Sequence, residues 1–229
     1  SMATLRGLMA PSAAALTSGV TPAAAQTDPR AEVTRISERS QAVPGETVYL
    51  ALDMVIDPDW HVYWRNPGDA GLPPEIIWAS EPAATLGDFI WPIPHELPVV
   101  PDEIMDYGYD DRLVLPFPVT IPEDATNEIR FEGLADYLIC KDICIPEAAD
   151  ISLTIQTGAE QIPNLIEGEA IADAIAASPM PLVGKAAITR DGDTWTLSAA
   201  PDASFGEVGS ARFFPFEHEI VHAAGQPLS

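Results

Sequence analysis

The sequence predicts an all-β protein built as an antiparallel sandwich of two sheets. Short stretches alternate apolar and polar residues with a period of two, which is the pattern of a strand with one buried face. Gly- and Pro-rich turns separate these stretches, and 23 prolines leave little room for long helices. Hydrophobic residues make up 47% of the 229 residues, which is enough for a packed core.

Two segments carry the clearest strand pattern, ETVYLALDMVID and RLVLPFPVTI. Every second residue in them is apolar and is predicted to face inward: Val48, Leu50, Leu52, Met54, Ile56, Leu113, Leu115, Phe117, Val119 and Ile121. Pro116 and Pro118 lack a backbone N–H, so the second strand is expected at a sheet edge or beside a bulge.

Two further strands are predicted in EIRF and DISLTI. Three segments between the strands are predicted as turns, because they are rich in Gly, Pro, Asn and Asp: NPGDAGLPP, WPIPHELPVVP and DYGYDD. Residues 26–160 are therefore expected to form one immunoglobulin-like sandwich with long loops.

Residues 161–179 are predicted to form a linker that contains a short helix. Asn164 is the expected N-cap, and Glu167 lies three residues later, as in a capping box. Ile171 and Ile175 follow at helical spacing, and Pro179 ends the pattern.

Residues 180–229 include AAITRDGDTWTLSAA, which predicts a hairpin that turns at Asp191 and Gly192. These residues are too few to close a second sandwich. They either pack on the first domain or form the start of a second β-rich domain that continues beyond the sequence, and the second interpretation is preferred.

Residues 1–25 have the layout of a secretory signal. Ser1 before Met2 is typical of a tag remnant, Arg6 comes early, a mildly apolar stretch follows, and small residues lead up to Gln26. The alternative is a flexible Ala-rich leader without an address. No run of about 18 apolar residues occurs, so no segment of this sequence is predicted to span a bilayer.

The charge of the chain restricts its partners. The formal net charge is −24, from 35 acidic and 11 basic residues. A field of this sign repels phosphate backbones and anionic lipid surfaces, which argues against nucleic acid as a partner.

Both cysteines lie in one short segment, DYLICKDICIPEAAD. Cys140 and Cys144 would be about 13 Å apart on a straight strand, whereas a disulfide requires Cα atoms about 4.4–6.8 Å apart. The chain must therefore turn between them if they are bonded. Because Ile145 precedes Pro146, an extended segment is expected to restart after Cys144. The two arms can then form a hairpin with residues 141–143 at its tip.

Three interpretations of the pair stay open: a redox couple, a structural disulfide and a metal clip. A five-residue loop gains only about 2 kcal/mol from closure, against nearly 5 for a loop of a hundred residues, which disfavours a purely structural bridge. Two thiolates could hold Cu(I), but zinc would need two further ligands. The histidines are expected to be surface or loop residues rather than ligands: His61, His95, His218 and His222.

Three stretches resemble a known family: WHVYWRNPGDAGLPP, DYGYDDRLVLPFPV and YLICKDICIPE. They are similar to the N-terminal periplasmic domain of the DsbD-type thiol:disulfide interchange proteins, and most of all to its suppressor-of-copper-sensitivity branch, ScsB. The likeness covers about residues 30–229. Near the end, SARFFPFEHEIVHAAGQP resembles the second β-domain that follows in ScsB-like proteins.

The resemblance implies a thiol:disulfide oxidoreductase domain located in the periplasm. Cys140 and Cys144 match the catalytic pair of the family, and Cys144 is the expected attacking residue. Electrons would pass from a transmembrane segment of the full-length protein to a thioredoxin-fold partner. No organic cofactor is expected, because the cysteines themselves carry the electrons, and Cu(I) binding by the pair is the alternative function.

The spacing of the cysteines refines the expected partner. DsbD itself spaces its cysteines more widely, and three intervening residues fit the ScsB branch. The resemblance therefore implies an ScsC-like thioredoxin-fold partner and a role in copper tolerance.

The resemblance also implies residues that shape the site. DYGY lies where DsbD-like domains carry a cap loop, so Tyr107 is expected to act as an aromatic lid over the sulfur atoms. Residues 60–69 are expected to be structural, with aromatic side chains in the core and a turn over residues 66–69. The residues expected to cap or shape the site are Asp106, Tyr107, Gly108, Lys141, Asp142 and Pro146.

Overall fold

The computed structural model describes residues 28–101, 103–181, 183–201 and 211–218, together with positions 220 and 223. The predicted leader over residues 1–25 and His222 lie outside the described residues. Strands dominate the described part. In chain order they are β1 (Ala31–Ser37), β2 (Arg39–Ala42), β3 (Thr47–Ile56), β4 (His61–Gly68), β5 (Glu75–Glu81), β6 (Thr85–Leu86), β7 (His95–Val100), β8 (Ile104–Tyr109), β9 (Arg112–Thr120), β10 (Glu128–Cys140), β11 (Cys144–Thr157), β12 (Ile162–Pro163), β13 (Gly184–Asp191) and β14 (Thr194–Pro201).

The strands form two packed sheets and a separate hairpin. The first sheet has the order β1-β3-β9-β6. The second has the order β12-β2-β11-β10-β4-β8-β7, and β5 pairs with β10 beside β4. Apolar residues of both sheets meet in one core, so the predicted all-β, immunoglobulin-like sandwich is confirmed.

The alternating residues of β3 and β9 lie in this core, as their period-two pattern predicted. Leu52 and Leu115, which face each other across the two strands, are fully buried. The predicted edge or bulged position of β9 is wrong, because β9 lies between β3 and the two-residue strand β6 and pairs with β3 without a register shift. Its prolines are tolerated because their backbone positions face away from β3. On the edge away from β3, the carbonyl oxygens of Pro116 and Pro118 accept hydrogen bonds from Ile90 and Gly87.

One helix, α1 (Leu165–Ala176), covers the outer side of the first sheet. Its Ile171 packs against Ile36 and Ala51. Asn164 is the N-cap as predicted, but its side chain makes no capping hydrogen bond. The predicted capping box is wrong, because the Glu167 carboxylate accepts a hydrogen bond from the Ser37 backbone N–H at 2.8 Å instead.

All three segments predicted as turns contain strand residues. Residues 66–68 complete β4, so the chain turns only from Asp69. The segment WPIPHELPVVP contains β7, and DYGYDD contains the end of β8. Pairing with neighbouring strands satisfies these backbones and overrides the turn propensity of their residues.

Several described residues after α1 contact the sandwich, most of them in the segment 212–218. The β13–β14 hairpin turns at Gly192 and Asp193, one residue later than predicted, and residues 184–200 are exposed. Farther along, the Asn66 side-chain amide donates to the carbonyl oxygens of Pro215 and Glu217, at 2.8 and 3.1 Å. The domain boundary at residue 180 stays a prediction. Within the described ranges, no helix is long and apolar enough to cross a membrane.

Candidate functional site

The two cysteines form a disulfide at the tip of the β10–β11 hairpin. Their Sγ atoms are 2.06 Å apart and their Cα atoms 4.1 Å apart. Cys140 and Cys144 are the last antiparallel pair of the two strands. The Lys141 N–H donates to the Ile143 carbonyl oxygen at 3.0 Å and closes the turn. The hairpin predicted from the Ile145-Pro146 sequence is thus confirmed.

The two halves of the disulfide differ in their access to solvent. Cys140 is 2% exposed, whereas Cys144 is exposed. Because thiol–disulfide exchange requires a sulfur atom of the incoming molecule to reach one of the pair, Cys144 is the accessible half.

Strand alternation brings residues of three strands onto one face around the disulfide. Cys140 pairs in register with His61 of β4, and cross-strand partners project to the same face. Tyr63, two residues along β4, shares that face and pairs with Gly108 of β8. Asp106, two residues before Gly108, lies on the same face of β8. The residues between them, such as Val62, belong to the sandwich core.

Tyr63 is the aromatic residue that contacts the sulfur atoms. Its hydroxyl donates a hydrogen bond to Cys140 Sγ at 2.8 Å and lies 3.7 Å from Cys144 Sγ. Burial raises the pKa of Tyr63, and the charge and hydrogen bonding of Asp106 raise it further. Tyr63 therefore stays protonated and remains a donor at neutral pH. Sequence reasoning treated residues 60–69 as structural and missed this contact.

Asp106 places a buried carboxyl group behind Tyr63. It is 1% exposed and accepts a hydrogen bond from the Ala70 N–H at 3.0 Å. Burial raises the pKa of Asp106 to about 6; the charge of Asp69 adds to this, while the bonds from Ala70 and Tyr63 oppose it. Asp106 can therefore gain or lose a proton close to neutral pH, one hydroxyl group away from the disulfide.

The residues expected to form a cap loop belong instead to strand β8. Tyr107 is 1% exposed, and its ring packs edge-on against Trp64 and Phe214 at centroid distances of 6.3 and 5.1 Å. A Cβ atom at Gly108 would lie 2.0 Å from the Val62 carbonyl oxygen, so glycine permits the close approach of β4 and β8. The shielding role of Asp106, Tyr107 and Gly108 stays a prediction.

A different segment covers the Tyr63 ring. A Cβ atom at Gly71 would lie 2.2 Å from that ring, so residues 69–74 pass directly over it. The segment is held by the Ala70 bond to Asp106, and Gly71 has a φ of +97° that favours glycine. Tyr63 is thereby enclosed between this segment and the sheet.

Beside the covering segment, an open cleft of about 250 Å³ extends along the β10–β11 hairpin. Its walls are mostly apolar: Leu72, Pro73, Glu75, Asp136, Tyr137, Leu138 and Pro146. Pro146, predicted to shape the site, is thus a wall of this cleft. At the hairpin tip, Lys141 pairs with Asp59 at 2.9 Å, and Asp142 is exposed.

The metal alternative depends on whether potential ligand side chains cluster in the described ranges. No group of three or more His, Cys, Asp or Glu side chains there could hold a metal ion. Of the histidines predicted as surface or loop residues, His61 is partly buried in strand β4, whereas His95 lies exposed in strand β7. The sulfur atoms are bonded to each other, so either metal binding or exchange begins with opening of the bridge.

A β-sandwich with an accessible disulfide at a hairpin tip, beside a buried tyrosine and carboxyl group, defines a thiol–disulfide exchange domain. Residues 33–156 match the family described as the N-terminal domain of the thiol:disulfide interchange protein DsbD. This match covers more than half of the chain, and the chain belongs to that family, as the sequence motifs predicted.

Three solved structures resemble this chain to different degrees. The N-terminal periplasmic domain of ScsB from Proteus mirabilis has a TM-score of 0.57 and 22% identity, over 79% of this chain and 67% of that one. The DsbD N-terminal domain of Neisseria meningitidis, in the reduced form, has a TM-score of 0.34 and 16% identity, over 57% and 89% of the two chains.

A cohesin module from a Clostridium perfringens family 33 glycoside hydrolase has a TM-score of 0.37 and 11% identity, over 56% of this chain and 98% of that one. The similarity to the ScsB domain supports the fold alone. The similarity to the DsbD domain and to the cohesin module is too low to support a conclusion. The curated proteins contain no match to the sequence.

Proposed function

We propose that this protein is a periplasmic redox-relay domain that passes two electrons from its Cys140–Cys144 dithiol to a disulfide in a thioredoxin-fold partner. The observation that carries the proposal is the unequal exposure of the two bonded sulfur atoms. Cys144 is exposed at the hairpin tip, while Cys140 is buried and hydrogen-bonded to Tyr63. Cys144 can react with a partner protein, whereas Cys140 is available only for the second, intramolecular step.

The exchange proceeds in two balanced steps. In the reduced protein, the Cys144 thiolate attacks the partner's disulfide, forms a mixed disulfide and displaces one partner thiolate. The Cys140 thiol then loses its proton and attacks Cys144 Sγ, and the second partner thiolate leaves. The Cys140–Cys144 bond re-forms, so two electrons have moved to the partner. The two thiol protons, one lost by Cys144 before its attack and one lost by Cys140, have gone to the partner's thiolates or to water.

Tyr63 and Asp106 assist the Cys140 half of this reaction. A single hydroxyl proton serves one acceptor at a time, so Tyr63 donates either to Cys140 or to Asp106. When Asp106 is protonated, it donates to the Tyr63 oxygen and leaves the hydroxyl proton for the sulfur. The pKa of Asp106, raised by burial to about 6, lets this change occur in a pH range that cells experience.

The surroundings of Cys144 are suited to protein docking. The cleft beside Pro146 runs along the hairpin and is lined by Leu72 and Leu138. An extended segment of the partner, next to its own disulfide, would fill this cleft. Lys141 and Asp142 at the tip would border the contact, and the residues 106–108 would support the Tyr63 side of the site.

The wider setting is also part of the proposal. The related ScsB domain is described as periplasmic, and an exported domain agrees with the signal-like residues 1–25. We infer an ScsC-like partner, a membrane-embedded segment of the full-length protein as electron source, and a role in copper tolerance. Residues 26–160 would form the redox domain, 161–179 a linker, and 180–229 part of a second β-rich domain.

A trapping experiment tests the order of attack. The reduced Cys140→Ala variant keeps the exposed sulfur but cannot resolve, so it is expected to accumulate a mixed disulfide with an oxidised ScsC-like protein. The matched Cys144→Ala variant keeps only the buried sulfur and is expected to form the adduct at least about tenfold more slowly. Non-reducing electrophoresis measures both. Equal trapping by the two variants, or no adduct with either, would contradict the proposal.

A further inference from the structure

His61 lies next to the disulfide in a position that the proposed exchange has not yet used. It pairs in register with Cys140 across β4 and β10, and its side chain projects to the same face of the sheet. Side chains in such cross-strand pairs have Cβ atoms about 4.5–5.5 Å apart. The ring also meets the Tyr63 ring edge-on, with centroids 5.3 Å apart.

The ring nitrogen Nε2 of His61 is buried and makes no hydrogen bond within the part of the chain that the structure describes. A buried polar atom of this kind usually has a partner, and one without a partner calls for a functional explanation. The reduced protein would supply such a partner, because opening the disulfide turns Cys140 Sγ into a thiol that carries a proton.

We propose that His61 accepts the proton of the Cys140 thiol during resolution of the mixed disulfide, a role that rests on the proposed exchange function. The Cys140 S–H bond breaks, and its proton moves to Nε2 of His61. The electron pair that remains on sulfur attacks Cys144 Sγ. The Cys140–Cys144 bond forms, the partner's sulfur leaves as a thiolate, and that thiolate or water takes the proton from His61.

The electrostatic surroundings keep His61 in the form that this role requires. Burial lowers the pKa of His61, and the charge of Asp110 in the β8–β9 turn opposes this in part. Asp110 is itself engaged by His95 at 3.1 Å, and Lys141 at the hairpin tip is paired with Asp59. His61 is therefore neutral near pH 7, with one ring nitrogen able to accept a proton.

The burial of Cys140 explains why an internal acceptor is useful. An ordinary thiol with a pKa of about 8.5 is only about 3% ionised at about pH 7, and burial away from charge lowers that fraction further. Water has little access to a sulfur atom that is 2% exposed. A neutral imidazole beside the thiol can remove the proton at the moment of attack.

Ellman's reagent, a small aromatic disulfide, separates the two steps in stopped-flow experiments on the reduced 229-residue protein. The first release of its coloured thiolate reports attack by Cys144, and the second reports resolution by Cys140. The His61→Phe variant is expected to keep the first rate within about twofold and to lose about 30-fold in the second at about pH 7.

The pH profile distinguishes proton transfer from a structural effect. In the unmodified protein, the resolution rate is expected to level off above the lowered pKa of His61. In the His61→Phe variant it should keep rising, about tenfold per pH unit, until the Cys140 thiol itself is ionised. The matched His95→Phe variant changes an exposed histidine of the same sheet and keeps His61, so its resolution rate should still level off. Because it frees Asp110, the pH at which the rate levels off is expected to rise rather than fall.

A second variant, His61→Ala, keeps the test valid if His61→Phe does not fold. His61→Ala leaves space for free imidazole, which should restore the rate of resolution but not change the rate of attack. Equal resolution rates and pH profiles with and without His61, or no response to imidazole, overturn the role of His61. A reduced protein that releases no coloured thiolate at all overturns the exchange function and this inference together.

Discussion

Replacing Tyr63 with phenylalanine removes one hydroxyl group from the site and leaves the aromatic ring. In the oxidised protein that hydroxyl donates to Cys140 Sγ at 2.8 Å. Reduction and deprotonation would place a negative charge on the same sulfur atom, so the hydrogen bond becomes charge-assisted and stabilises the thiolate. The Tyr63→Phe variant is therefore expected to hold its Cys140 thiol more firmly in the protonated form.

The size of the effect follows from this one hydrogen bond. Hydrogen bonds to charged groups contribute about 1.5–3 kcal/mol, which raises the thiol pKa by about one to two pH units. The thiolate population near neutral pH then falls about 10- to 100-fold. A more basic thiolate is a better nucleophile, with a Brønsted coefficient of about 0.4–0.5, so the net loss in resolution rate is about 3- to 16-fold.

Two measurements check this prediction. Ultraviolet absorbance of the thiolate against pH gives the Cys140 pKa directly in the Cys144→Ala background, where Cys140 is the sole thiol. The second phase of the reaction with Ellman's reagent gives the rate. Tyr109→Phe is the matched control, because its hydroxyl donates to the Pro92 carbonyl oxygen at 2.7 Å and plays no part in this contact.

The reasoning would be refuted by a Tyr63→Phe variant whose Cys140 pKa moves no more than that of Tyr109→Phe. It would also be refuted by a downward shift, since loss of a donor can only disfavour the thiolate. A rate loss without any pKa change would indicate that Tyr63 acts by packing alone.

Two further predictions concern the support of the site. The pKa of Asp106 in the folded protein is about 6, against 3.8 ordinarily, because the folded protein favours the protonated carboxyl group. The contribution of Asp106 to the free energy of unfolding is therefore fully present below about pH 4 and is lost as pH rises through about 6. Asp106→Asn should therefore raise the free energy of unfolding at about pH 7 by up to about 3 kcal/mol and change it little at about pH 3. A lower free energy of unfolding at neutral pH would contradict this prediction. Gly71→Ala should destabilise the protein in urea by at least about 1 kcal/mol more than Gly192→Ala. Both glycines have positive φ, but only at Gly71 would a Cβ atom collide with the Tyr63 ring. Equal losses of unfolding free energy in the two variants would show that residues 69–74 do not pack against that ring.

Several features of the fold could be predicted from short stretches of sequence. The alternation in β3 and β9 fixed the buried faces, because side chains of a strand project alternately to its two sides. Pro116 and Pro118 predicted an edge or bulged strand, whereas β9 lies between β3 and the two-residue strand β6, and its prolines face away from β3. Predictions of turns from Gly and Pro content failed at β7 and β8, because pairing with strands far away in sequence decided those conformations.

In the candidate site, too, some features could be predicted from a short stretch of sequence and others could not. The Cys140–Cys144 hairpin is local, and the geometry of a disulfide together with Pro146 was sufficient to predict it. Tyr63, His61 and the contact of Asp106 with Tyr63 were not predictable, because they depend on the register of β4 with β10 and β8. A shift of one residue in either register would turn these side chains to the other face of the sheet.

The amino-acid sequence by itself determined the class of fold, the family and the short segment that holds both cysteines, because each of these follows from residues that are close along the chain. Only the tertiary structure decided which sulfur atom is buried and which side chains surround it. Those facts depend on paired residues that are 38 to 79 positions apart in the sequence, and their pairing is selected by the packing of the whole core rather than by any local preference.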